Sequence, residues 1–205
     1  MKQRLATVII LVGSTLRLIA YLQNPPLWTD EALLAYNLLL PTADVLSGTA
    51  FRQTIPVGFL LIQQLIVSLF GATELVMRAF PALASVVALP AFWHLARQLL
   101  PARGALLSLG LFALSPYPIA YAVQVKQYGV DALAAILLSL IALSALSPDL
   151  GVRRALWLGI AGFVLALLSQ PAALILPAFA AGIILMRVSK ERGSERVALP
   201  MIGLW

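Results

Sequence analysis

Seven apolar runs, set off by proline, glycine or basic residues, divide the chain: Leu5–Tyr21, Val57–Phe70, Ala79–Ala96, Ala105–Ala122, Asp131–Leu146, Ala155–Ser169 and Ala172–Met186. Runs of this kind leave few structural solutions. A bilayer interior gives the backbone no hydrogen-bond partner, so a spanning segment must be a helix or part of a closed barrel. A barrel needs alternating apolar and polar residues, and no such alternation is present. Charged residues make up 11% of the chain, against roughly 25% in soluble domains, so most of the surface must face lipid. The expected fold class is all-α: a polytopic membrane protein.

The charges that remain are distributed unevenly. Basic residues cluster at Lys2/Arg4, Arg97/Arg103, Arg153/Arg154 and Arg187/Lys190/Arg192/Arg196. The positive-inside rule puts all four clusters on the cytoplasmic side. Two runs separate the second cluster from the third, and two more separate the third from the fourth, which fits. Three runs separate the first from the second, so one of them must fail to cross. Val57–Phe70 is the shortest and falls well below the ~20 residues a span requires. Residues 22–78 then form one large outer loop, with an amphipathic helix starting near Asp30, a polar turn at Ser47-Gly48-Thr49 and a helix dipping into the outer leaflet. Gln170-Pro171 is either a tight outer turn between two short spans or the tip of a re-entrant hairpin.

Composition excludes several classes. The net charge of +6 comes without a basic stripe interleaved with aromatics, so no nucleic-acid partner is expected. Absence of cysteine rules out disulfides, thiolate metal sites and cysteine nucleophiles. A lone histidine, His94, cannot make a zinc site. The first run follows Lys2 and Arg4 but leads into Gln23-Asn24-Pro25-Pro26, not a small-residue cleavage pattern, so it reads as an uncleaved first span.

On this topology Asp30, Glu31, Asp44, Glu74 and Asp131 all lie on the outer side. Asp30 and Glu31 follow the Asn24-Pro25-Pro26-Leu27-Trp28-Thr29 turn. Two compatible readings stand for them: first-turn acids of a helix capped by Thr29, or a general base for a hydroxyl nucleophile. The patch from Gln124 to Asp131 lies on the same side. Lys126 and Asp131 could pair to close a loop; alternatively Lys126 offers a cation to a phosphate, with Gln127 and Tyr128 as hydrogen-bond donors. Arg17, Arg52 and Arg78 fall on that side too, and Arg17 could either snorkel or face the Asp30 site.

These motifs together resemble the GT-C membrane glycosyltransferases, above all the bacterial relatives of dolichyl-phosphate-mannose protein mannosyltransferases and of the lipid A aminoarabinose transferase. The carrying segments are Trp28-Thr29-Asp30-Glu31-Ala32; Gln53 to Phe59; Leu69 to Glu74 with Arg78; Ser115-Pro116; and Lys126 to Asp131. The resemblance implies a single GT-C module over residues 1–205. It also implies transfer of a sugar from a polyprenyl-phosphate donor to a glycan, lipid or protein hydroxyl at the outer face of a bacterial inner membrane, with inversion. By position Asp30 and Glu31 are the catalytic pair. Lys126, Tyr128, Arg17 and Arg78 bind the donor phosphate, and Gln53 and Asp131 support them. No cofactor is expected, although a divalent cation beside Asp30 is compatible with the pattern. Many relatives have arginine where Lys126 stands, so this chain lacks the planar fork that would hold phosphate in two places. The chain stops at Leu204-Trp205, in what reads as the start of a further span, so an N-terminal portion, or a half needing a second polypeptide, is expected. The alternatives are a catalytically silent subunit that binds lipid phosphate, and a small transporter. Gathering of charge at one face speaks against the transporter.

Overall fold

The structure, a computed structural model, describes residues 2–46, 53–147 and 150–191. The expected turn at Ser47-Gly48-Thr49, Arg52, the last basic cluster's side chains and the stretch ending at Leu204-Trp205 lie outside the described residues. Ten helices account for nearly all of the rest: α1 (Lys2–Gln23), α2 (Thr29–Leu38), α3 (Thr42–Leu46), α4 (Val57–Phe70), α5 (Glu74–Leu99), α6 (Ala102–Leu114), α7 (Pro116–Ala122), α8 (Tyr128–Ala145), α9 (Val152–Leu168) and α10 (Gln170–Glu191). The chain is an all-α polytopic membrane fold. Helices α1, α5 and α8 are each long and apolar enough to cross a bilayer, and α6 with α7 makes a fourth span if the bent pair is taken as one. Their outward faces carry Leu11, Leu18, Leu83 and Leu107, all more than half exposed. Such side chains belong against lipid, not water.

Side-chain register fixes the helix directions. Ala6 of α1 clusters with Trp93 of α5 and Ala105 of α6. Further along, a Cβ at Gly13 would lie 2.9 Å from the Ala113 Cβ and 3.2 Å from Leu89. Near the far end Arg17 reaches Ser85. Helix α1 therefore runs antiparallel to α5 and parallel to α6. Ala88 and Leu95 of α5 pack with Ile136 of α8, and Gly129 lets α8 start flush against the Pro81 carbonyl, where a Cβ would collide. Helices α5 and α8 are thus parallel. Helices α9 and α10 form an antiparallel hairpin turned at Ser169, with Gly162 facing Leu176, and Leu138 of α8 packs into the same group as Ala172.

These directions gather Lys2, Arg4, Arg97, Arg103, Arg153 and Arg154 at one pole, and Asp30, Glu31, Glu74, Lys126 and Asp131 at the other. Helix α4 has both ends at this acidic pole. Gly58 abuts the Leu167 carbonyl in the last turn of α9, and Gly71–Thr73 leads directly into α5. Gln63, fully buried, donates to the Met77 carbonyl at 2.7 Å. Helix α4 therefore lies across the pole and does not run the length of the bundle.

One expected element differs. The run Ala105–Ala122 is not a single straight helix but α6 and α7, bent by 51° at Ser115. The cause is local. Ser115 precedes a proline, which pushes it out of the helical region, and it takes φ −63°, ψ 134°. Pro116 has no N–H, so the Phe112 carbonyl loses its helical donor. Arg17 supplies the replacement. Its Nη2 donates to Phe112 O at 3.2 Å and its Nη1 to Ala113 O at 2.9 Å, while Nη1 also donates to Gly13 O and Nε to Ser85 Oγ. A side chain from α1 thus closes the end of α6 in a place water does not reach.

Removing that side chain leaves two carbonyls unpaired at depth, and each such loss costs about 1–3 kcal/mol. Arg17→Leu is expected to lower the midpoint of thermal unfolding in detergent markedly. Arg17→Lys should recover only part of it, since one ammonium cannot reach four acceptors. An unchanged midpoint for Arg17→Leu would show that the cap contributes nothing.

Candidate active site

The acidic pole is assembled from α2, the loop 123–127 and the first turns of α4, α5 and α8. Asn24 turns the chain out of α1 in a left-handed conformation (φ 42°), which asparagine tolerates better than most residues. Helix α2 then starts at Thr29 with Trp28 in the capping position, one residue earlier than the expected Thr29 cap. The cap is made in reverse: the Glu31 carboxylate reaches back and accepts the Trp28 N–H at 3.4 Å.

Glu31 does more than cap. It is 3% exposed, and its Oε1 accepts the Val125 N–H at 2.7 Å. The same oxygen lies 3.5 Å from Arg78 Nη2. Arg78, fully buried, donates at 2.6 Å to the Asn24 side-chain oxygen and lies 3.9 Å from the Glu74 carboxylate. One carboxylate therefore joins α2, α5 and the loop before α8, and Arg78 ties in the end of α1. Each charge is met by the other, although Nε of Arg78 has no hydrogen-bond partner.

Asp30 faces the other way. Successive helical residues differ by 100° in direction, so burying Glu31 turns Asp30 outward, and its side chain is 56% exposed. Lys126 Nζ lies 3.8 Å from Asp30 Oδ2 and donates to the Gln53 side-chain oxygen at 3.3 Å. Gln53 in turn donates from Nε2 to the Asp30 carbonyl at 3.2 Å. Lys126 is thus paired with Asp30, not with Asp131 as one sequence reading allowed. Burial pushes its pKa below the ordinary lysine value, and the nearby Asp30 and Glu31 carboxylates partly oppose that shift.

Tyr128 follows in the first turn of α8, edge-on to Tyr121 with ring centroids 5.0 Å apart. It borders a cavity of about 440 Å³ shared with Tyr117, Phe112 and Ser85. Asp131, one turn further along α8, adjoins the Ser169 side chain. Of the residues expected at the site, Asp30, Lys126 and Gln53 meet directly. Glu31 and Arg78 form the layer beneath them. Arg17 is brought to neither, because its guanidinium is taken up by the end of α6. Asn24, Ser85 and Ser169 were not anticipated. The Asn-Pro-Pro turn pointed to Asn24; two serines inside apolar runs carried no signal. Among the described residues no three His, Cys, Asp or Glu side chains gather to hold a metal ion, and the charged neighbour of Asp30 is itself a cation.

The two acids should separate in a stability measurement. Removing one partner of a buried ion pair strands the other, typically at 3–5 kcal/mol. A pair with one exposed member, as here with the Asp30 side chain 56% and the Lys126 side chain 9% exposed, costs less to break, because water reaches the carboxylate. Glu31→Ala is expected to destabilise the detergent-solubilised protein strongly, whereas Asp30→Ala, which leaves the Lys126 ammonium its bond to Gln53, should lower the unfolding midpoint less. Equal effects would contradict the division between a buried tether and an exposed carboxylate.

No curated protein and no solved structure gives a significant match to the chain. A family model does match: that described as dolichyl-phosphate-mannose-protein mannosyltransferase, over residues 54–203. The match takes in α4 to α10 with Arg78, Lys126 and Asp131, and begins after the Asp30 segment. The chain belongs to the dolichyl-phosphate-mannose-protein mannosyltransferase family, a group of GT-C membrane glycosyltransferases.

Proposed function

We propose that the chain binds a sugar carried on polyprenyl phosphate at the acidic pole and passes the sugar, with inversion, to an acceptor hydroxyl. The observation that carries this reading is the juxtaposition of Asp30 and Lys126: an exposed carboxylate and an ammonium 3.8 Å apart, on a helix start fixed from below by Glu31. The chemistry asks for that combination. Phosphate leaves as a stabilised anion, and a cation beside it favours departure. The acceptor hydroxyl is the poor partner, since it must shed a proton as it attacks, and a positioned base typically contributes about 10²–10⁴-fold. Asp30 serves as the base, Lys126 holds the leaving phosphate, and Gln53 sets the distance between them. Glu31 and Arg78 position this pair without touching substrate. Tyr128 flanks the phosphate from the neighbouring turn. Under the positive-inside rule the basic pole is cytoplasmic, which puts the N-terminus inside and the reacting groups on the outer face.

Asp30→Asn keeps shape and hydrogen bonding but removes the base. Transfer of labelled sugar from a polyprenyl-phosphate donor pool in membranes is expected to fall at least 10²-fold, with polyprenyl-phosphate binding to the purified protein retained. Lys126→Ala should do the reverse first, weakening that binding. The ammonium binds phosphate only while protonated, so affinity should fall as pH rises through the Lys126 pKa, at lower pH than for an ordinary lysine. Wild-type turnover by Asp30→Asn would remove the base; equal lipid affinity in Lys126→Ala would remove the phosphate site.

Orientation is tested separately. The chain has no cysteine, so single cysteines can be labelled cleanly in intact cells. Cysteines at Asp44 and Thr73, both exposed, should react with an impermeant reagent, and cysteines at Arg103 and Arg153 should be protected. The opposite pattern would invert the topology, and protection of Thr73 alone would mean that α4 crosses.

A further inference from the structure

Beside the Asp30–Lys126 pair sits a group of acceptors with nothing to accept. Gln127 is 8% exposed, yet its side-chain oxygen has no partner, and neither has Oδ1 of Asp131. Buried acceptors left unpaired are costly, and each one asks for an explanation. The two share a face. Gly129, between them, packs on α5 at Pro81. Gln127 and Asp131 lie two residues to either side, about 200° round in each sense, so both leave α8 on the side away from α5. That side meets the tip of the α9–α10 hairpin. There Ser169, fully buried, adjoins the Asp131 carboxylate while its oxygen accepts the Ala172 N–H at 3.2 Å. On this face Oδ1 of Asp131 is left without a partner.

We propose that Gln127 and Asp131, the latter beside Ser169, form a subsite that accepts hydrogen bonds from neighbouring hydroxyl groups of the donor sugar. A sugar ring presents several O–H donors close together, which is what two unpaired acceptors on one helix face lack. A metal ion fits less well. The cluster holds one carboxylate, and the Lys126 ammonium adjoins it. The inference rests on the donor reading above, with Lys126 on the phosphate; Gln127, the next residue, then falls beside the sugar that the phosphate carries. Specificity follows: buried acceptors reject an analogue that lacks the hydroxyl, because they are then left unpaired.

The test compares two ligands on the purified full chain: a polyprenyl phosphate, and the same lipid phosphate carrying mannose, glucose, galactose or arabinose. The wild type should bind at least one glycosylated form more tightly than the bare lipid. Asp131→Asn and Gln127→Leu should each reduce affinity for that form about tenfold, the worth of one hydrogen bond, with affinity for the bare lipid within about twofold of wild type. Bare-lipid affinity also reports folding, and if Asp131→Asn loses it, Gln127→Leu decides. A wild type that prefers no sugar, or variants that lose nothing, overturn the subsite and leave the phosphate site standing. Loss of the preference on adding a chelator assigns the cluster to a cation and overturns it too. A wild type that ignores the bare lipid removes the donor reading and this inference with it.

Discussion

The acidic pole depends on one buried carboxylate. Glu31 accepts the Val125 N–H, meets Arg78 and returns to the Trp28 N–H, so three elements distant in sequence share a single anchor. Each contact has a further consequence. The bond to Val125 fixes the loop that carries Lys126. The contact with Arg78 fixes α2 against α5, and Arg78 holds Asn24 at the exit of α1. With Glu31 turned inward, geometry alone turns Asp30 outward. The Asp30–Lys126 pair is thus a product of the Glu31–Arg78 pair beneath it.

This division explains why neighbouring residues of the same type have different work to do. A buried ion pair is an uncertain source of stability, because desolvation can cancel attraction. It is a dependable source of position, since misplacing either charge is expensive. The second pair is mixed: the Lys126 ammonium is buried and the Asp30 carboxylate exposed, so water screens the carboxylate and the attraction between them is weaker.

Much of the fold was legible in the sequence, because lipid imposes a simple rule on backbone groups and leaves runs of apolar residues as its trace. The spacing of basic clusters singled out α4 as the run that does not cross, and in the structure α4 is a 14-residue helix, shorter than the ~20 residues a span requires. The break at Ser115 was also present in the Pro116 and Pro118 positions, although the apolar run was read through it. The site was legible to the level of its pole. Which of Asp30 and Glu31 faces inward could not be read, since both are adjacent and alike, and the choice is made by Val125 and Arg78, 94 and 47 residues away. Arg17 illustrates the same limit. Its place near a helix end suggested the phosphate, but the carbonyls that claim it are on α6, and no local pattern joins them.

The cap on α6 carries a consequence for biogenesis. Arg17 emerges from the ribosome well before the α6 carbonyls it closes, which lie 95 and 96 residues further on. During that interval its guanidinium sits in a hydrophobic segment with only the Gly13 carbonyl of its own helix, and later Ser85, to bind. The first helix therefore carries a partly unpaired guanidinium until α6 arrives. Membrane integration of this chain is then not a succession of independent spans. The set of partners for the first is incomplete until the fourth of the seven apolar runs has been made, and the proline that breaks that run frees the carbonyl that takes the arginine.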